Sequence, residues 1–229
     1  MLLLASLAFA AEPTFLPLTS DPIVGDHTAR AGLAGTADTT GVFGAQALVE
    51  VAIVSRVALQ VRAGGELGSE GPLLGGQASV EILDEATAPI GLGAAVRYTH
   101  VGFDGVDAET EVEIAASRQL GPVRLLVNAT GGKDLAEDEG DVEGAVAGLV
   151  ALSPLVGIGL DARGRVMLGD AEDESEGEER RGWDSRAGAV VTVGDERVSG
   201  FGFAGAELVE DRDAARAGAL ISVGVQVAL

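Results

Sequence analysis

Residues 148–166 read GLVALSPLVGIGLDARGRV. An apolar run meets Ser153 and Pro154, stops, and restarts as alternating Val156, Ile158 and Leu160. Asp161, Arg163 and Arg165 follow at every second position, with Leu160, Ala162 and Val166 on the opposite phase. A two-residue period belongs to a β-strand, whose successive side chains point to opposite faces. This strand therefore carries charge on one face and apolar groups on the other. The Ser-Pro pair before it reads as a turn, because Pro has no N–H to give to a central strand.

The same alternation recurs along the chain. In 45–55, Val49, Val51 and Ile53 share one phase, and Gln46, Leu48 and Glu50 share the other. In 57–66, Val57, Leu59 and Val61 oppose Gln60 and Arg62; in 108–117, Thr110, Val112 and Ile114 oppose Glu109, Glu111 and Glu113. A helical period would scatter these carboxylates around an axis, whereas β-branched residues in strict alternation favour strands. Twelve such segments are expected, near 27–37, 44–54, 57–66, 75–84, 89–102, 108–118, 122–132, 142–152, 155–167, 184–194, 197–208 and 215–229. Ten or fourteen strands stay open, depending on 27–37 and 197–208.

The connections sharpen the architecture. Tight turns are expected at 55–56, 85–87, 120–121, 153–154 and 195–196. Longer polar or acidic connections are expected at 38–43, 67–74, 103–107, 133–141, 169–183 and 209–214. Alternating short and long connections suit a closed, antiparallel, up-and-down transmembrane β-barrel, an all-β fold. No later segment has the 18 or so unbroken apolar residues of a spanning helix, so membrane entry would have to use strands, closed to leave no backbone group unpaired in lipid.

Composition narrows the function classes. The net charge is −21, which disfavours nucleic acid as a partner. There is no Cys, so neither a disulfide framework nor a Cys/His metal site is available, and no cofactor is expected. Residues 1–11, ending in Ala8, Phe9, Ala10 and Ala11, read as a cleaved export signal; 12–26 read as a periplasmic lead-in and 27–229 as the barrel.

Residues 27–229 resemble the small, porin-like outer-membrane β-barrel proteins of Gram-negative bacteria. The pattern's sharpest element is the end, ISVGVQVAL, where Ile221, Val223, Val225, Val227 and Leu229 share one phase. The resemblance implies that Val223, Val225, Val227 and Leu229 form the signal read by the barrel-assembly machinery. That group usually ends in an aromatic residue; this chain ends in Leu229. The resemblance also implies outer-membrane lipid as surroundings and localisation to the cell outer membrane.

In such a barrel the apolar phase meets lipid and the polar phase faces the lumen. An Arg facing lipid at the midplane costs about 2–4 kcal/mol. That cost assigns Arg30, Arg62, Arg97, Arg124, Arg163, Arg165, Arg186 and Arg216 to the lumen, with Glu50, Glu81, Glu111, Glu113 and Asp161. Gln46, Gln60, Gln77, Asn128, Thr192, Ser222 and Gln226 fill the same phase. Two roles fit: a porin-like channel for small solutes, or a closed structural barrel whose charges pair across the lumen. A soluble exported all-β domain that binds a ligand or partner is the alternative from another class.

The acidic stretches at 137–141 and 170–179 read as solvated loops, with divalent cations as occasional partners; neither has the spacing of a formed calcium loop. Of the two His, His100 has Gly102 where a strand-borne nucleophile would stand, and His27 has no evident partner. No nucleophile, base and orienting group coincide, so enzymatic chemistry is not expected.

Overall fold

A computed structural model describes residues 29–39, 43–66, 72–101, 107–135, 140–168, 183–195, 197–211 and 214–229, with side chains omitted at 66, 101, 107, 209–211 and 214–216. The signal, the lead-in, His27 and the acidic stretch 170–179 lie outside these residues. Twelve strands run β1 (Ala29–Asp38), β2 (Phe43–Val54), β3 (Val57–Glu66), β4 (Leu73–Leu83), β5 (Gly91–Val101) and β6 (Asp107–Leu120). They continue as β7 (Val123–Asp134), β8 (Gly140–Ser153), β9 (Val156–Leu168), β10 (Trp183–Gly194), β11 (Val198–Asp211) and β12 (Ala214–Ala228).

Each strand pairs antiparallel with its sequence neighbours, and β1 pairs with β12 to close the barrel. The seam runs from Arg30↔Ala228 to Asp38↔Leu220. The Thr36 and Ser222 hydroxyls meet at 3.0 Å across it, and the Leu229 N–H donates to the Ala29 carbonyl at 2.8 Å. Closure gives the edge groups of both terminal strands a partner, which hydrocarbon surroundings require.

The turns explain themselves locally. Gly121 takes φ 62°, a left-handed conformation suited to Gly, in the two-residue β6–β7 turn. The Asp195 carboxylate accepts from the backbone N–H groups of Arg197 (2.8 Å) and Val198 (2.9 Å), and these bonds hold its pKa below the usual carboxylate value.

The connection expected at 133–141 runs only 135–139, and three others differ from expectation in ways the structure explains. The expected 85–87 turn spans 84–90, because Asp84 organises it through the Ala86 N–H (2.7 Å) and Glu85 reaches inward. The connection expected at 209–214 shrinks to 212–213, because β11 and β12 stay paired out to Asp211↔Ala214. That of 38–43 shrinks to 39–42, where Thr39 bonds Ala219 and prolongs the seam. Short and long connections therefore do not alternate strictly, although the barrel they suggested is present.

The outward phase is predominantly apolar, with Arg118 and Lys133 towards its two rims: Leu33, Val61, Val112, Ile114, Leu160, Ile221 and Val223 are all more than half exposed. An apolar belt of that extent would be untenable on a soluble protein, which disfavours the soluble-domain alternative. Phe43, Tyr98 and Trp183 are exposed on this face. Phe43 and Trp183 start β2 and β10 at the end opposite the short turns.

Candidate functional site

The lumen is the one setting where the inward polar side chains converge. Closing the sheet requires strands to be staggered, so a row of cross-strand partners climbs as it goes round. One row starts near the turn end with Arg30 and passes through Glu50, Gln60, Gln77, Arg97, Glu111 and Gly132 to Asp141 near the loop end. It forms a polar ramp from one mouth of the barrel towards the other.

Charges on and beside the ramp pair with one another. Arg30 meets Glu50 at 2.8 Å. Arg97 donates to Gln77 (3.1 Å) and Glu111 (2.9 Å) and lies 3.6 Å from Glu113. Arg165 on β9 joins Glu109 (3.1 Å) and Asp141, linking three strands. Arg163 meets Glu143 at 3.2 Å, and Arg186 meets Glu207 at 2.9 Å.

Glycines make room for these reaches. Arg62 Nη2 crosses β4 to donate to Thr99 Oγ1 at 3.1 Å. It passes over Gly75, where a Cβ would stand 2.7 Å from Arg62 Nε. At Gly132 a Cβ would meet Asp141 Oδ1 at 2.7 Å and Glu109 Oε1 at 2.8 Å. The two carboxylates converge on Arg165 over that gap.

The side of the lumen formed by β7 to β12 is different. Leu126, Ala147, Leu149, Val190, Phe203 and Leu220 form a buried apolar cluster, with Phe201 packed against it. The Phe203 ring tip lies over Gly188 and Gly205, and the Phe201 ring covers Gly224. Both rings face inward, and β11 runs without a register shift; the bulges fall instead at the turn ends of β2, β4 and β8. The lumen is thus mainly polar along β1–β6, with Leu48 and Leu73 as buried apolar members, and carries a packed apolar cluster along β7–β12.

Exposure differs between two of these ion pairs. The Arg165 and Glu109 side chains keep 31% and 25% of their surface, whereas Arg30 and Glu50 keep 5% and 2%. Arg62, Glu50, Leu126, Val190 and Ser222 are almost wholly buried. At the turn end, Glu85 folds in from the β4–β5 connection. It accepts from Ser117 Oγ at 2.9 Å and from the Gln119 N–H, and lies 3.8 Å from Arg124. The lumen is constricted by the packed cluster around Phe203 and, at the turn end, by the inward Glu85.

Of the residues assigned to the lumen from sequence, Arg30, Glu50, Gln60, Arg62, Arg97, Glu113, Arg124 and Asp161 are buried on the inner phase. Glu81, Glu111, Arg163, Arg165, Arg186 and Gln226 are partly buried on that phase. Gln226 donates to Ser199 Oγ at 2.8 Å. The Arg216 side chain lies outside the described residues. Val223, Val225, Val227 and Leu229 are on the outward face at the β12 end.

Sequence reasoning passed over Asp38, Glu109, Asp134, Asp141, Glu143, Asp184 and Glu207 as lumen groups, and Glu85 as a turn-end closure. Phase alone would have found Asp141 and Glu143, which alternate with Val142, Gly144 and Val146. The described inward charges are then seven arginines (Arg30, Arg62, Arg97, Arg124, Arg163, Arg165, Arg186). Facing them are twelve carboxylates: Asp38, Glu50, Glu81, Glu109, Glu111, Glu113, Asp134, Asp141, Glu143, Asp161, Asp184 and Glu207.

No protein-family model and no curated relative matches the sequence. Among solved structures, the porin NanC superposes with a TM-score of 0.64 at 7% identity, covering 87% of this chain and 100% of that one. The porin KdgM, in complex with disordered oligogalacturonate, gives 0.61 at 7% identity over 87% and 99% of the two chains. An outer-membrane channel from Pseudomonas putida F1 gives 0.62 at 11% identity, covering 93% and 98%. Identities this low speak to fold alone, and the fold shared is a closed twelve-stranded barrel of the porin-like outer-membrane type.

Proposed function

We propose that this chain is an outer-membrane barrel that passes small polar solutes through a narrow, partly occluded lumen. The observation that carries this reading is the polar ramp from Arg30 to Asp141, which offers hydrogen-bonding groups from one mouth towards the other. A barrel needed only as a rigid body gains little from such a row, since buried charges cost desolvation energy that pairing only partly offsets. The apolar exterior supports a place in outer-membrane lipid, with short turns on the periplasmic side and longer loops outside. In this reading residues 1–11 direct export. The outward Val223, Val225, Val227 and Leu229 present the terminal strand to the barrel-assembly machinery, and divalent cations bridge the acidic loops to the lipid surface. The role is transport, with no chemistry done on the solute.

A closed structural barrel is the second reading, favoured by the near-complete burial of Arg62, Glu50, Leu126 and Ser222. Swelling of vesicles loaded with the refolded protein separates the two. Slow uptake of a small neutral solute such as glycerol beyond that of empty vesicles, with a disaccharide excluded, supports passage. No uptake above the empty-vesicle rate, with insertion verified by protease protection, supports the closed barrel.

A further inference from the structure

We propose that the lumen, arginine-lined as it is, admits small cations in preference to anions. This rests on the solute-passing reading above and names its class of solute. Two independent features carry it.

The first is how the arginines are spent. Arg165 is held between Glu109 and Asp141, Arg97 between Glu111 and Glu113, and Arg186 against Glu207. A guanidinium already paired with a carboxylate has little left to offer a passing anion. Twelve described inward carboxylates exceed seven described inward arginines, so among the described residues the surplus charge of the lumen is negative. The surplus faces a channel walled by low-dielectric barrel and lipid, which focuses the field rather than screening it.

The second feature is a pair of amides. Gln46 and Gln60 are 4% and 3% exposed, point inward, and have both side-chain polar atoms without a partner among the described residues. Gln60 lies on the ramp between Glu50 and Gln77. Unpartnered buried amides are costly, so these ask for a polar occupant of the path. A carbonyl oxygen beside a carboxylate suits a cation, while the amide N–H groups can hold the water it carries. Among the described residues no group of three or more His or acidic side chains is arranged to hold a metal ion. The class is therefore mobile monovalent and small organic cations rather than a bound metal.

The chain has no Cys, so a single introduced thiol reads the lumen cleanly. Ala145 lies on the inner face between Asn128 and Arg163. In Ala145→Cys, refolded into vesicles, a cationic aminoethyl methanethiosulfonate should react about tenfold faster than its anionic sulfonatoethyl counterpart, each relative to a free thiol, as counter-ion focusing implies. Glu143→Gln should lower that ratio and Arg163→Gln should raise it. An equal or inverted ratio overturns the proposal. So does a thiol that neither reagent reaches but that titrates fully after denaturation. Reversal potential in a KCl gradient separates this inference from the one beneath it. Current carried mainly by chloride defeats the cation preference and leaves a channel. A cationic rate preference without current defeats the channel and leaves the cation preference.

Discussion

Substituting Ile114 by Arg should be far more damaging than substituting Thr110, four residues away on the same face of the same strand. β6 has 14 residues, and Ile114 stands near its middle, outward and 56% exposed. At about 3.3 Å per residue and a tilt of about 40°, the strand rises roughly 35 Å, so an apolar band of about 25 Å centres close to Ile114. Its outward cross-strand neighbours, Ala94 and Ala129, offer a guanidinium no partner. Arg there should cost about 2–4 kcal/mol, which is about 30- to 700-fold in the folding equilibrium. Thr110 lies roughly 10 Å nearer the loop end by the same rise, cross-strand from Tyr98 and from Lys133, a cation already tolerated on that face. Thr110→Arg should cost about 0–1 kcal/mol. The assay is urea unfolding of protein refolded in lipid vesicles, followed by fluorescence of Trp183, the only Trp. Equal costs at the two positions, or a neutral Ile114→Arg, would refute the assignment of this phase to lipid.

Phe203→Ala should cost about 3–5 kcal/mol by leaving a cavity in the apolar cluster, and solute flux should rise; unchanged flux in a folded variant would show that the constriction lies elsewhere. Gly75→Ala should push Arg62 off Thr99, because the new methyl would stand 2.7 Å from Arg62 Nε; it should lower stability by about 1–3 kcal/mol, and a neutral effect would mean that the guanidinium does not cross β4. Glu85→Gln weakens the attraction to Arg124 at the turn-end mouth; hydrogen exchange at the Gln119 amide should quicken, and unchanged exchange would speak against Glu85 as its acceptor. Asp195 has its pKa lowered by backbone N–H groups in a fully exposed turn. A lowered folded pKa stabilises above the unfolded value and loses that gain as pH falls through the folded one. The Asp195 carboxyl should therefore titrate below the 3.8 of an ordinary Asp, and a value at or above it would contradict the turn bonds.

The barrel was legible because alternation is a local property. Asp161, Arg163 and Arg165 carry their face assignment in three alternate positions, and a two-residue period leaves no other face for them. Phe201 and Phe203 were not legible, because in SGFGFAGAE the intervening Gly and Ala have no strong preference for lipid or lumen. Leu48 alternates with Gln46 and Glu50, so its inward position could be read. The ramp itself was out of reach. It links Arg30 to Asp141 across eight strands, and it exists only once register and stagger are known. Glu85 was hidden for another reason: an acidic residue in a turn ordinarily points to solvent, and its inward reach depends on Ser117 and Arg124 two and three strands away.

The most direct test is single-channel recording of the refolded protein in a planar bilayer, with insertion established independently by resistance to added protease. The account predicts discrete, small current steps in the unaltered protein and larger steps in Phe203→Ala. Inserted protein that carries no current in either form would contradict it and leave a closed structural barrel.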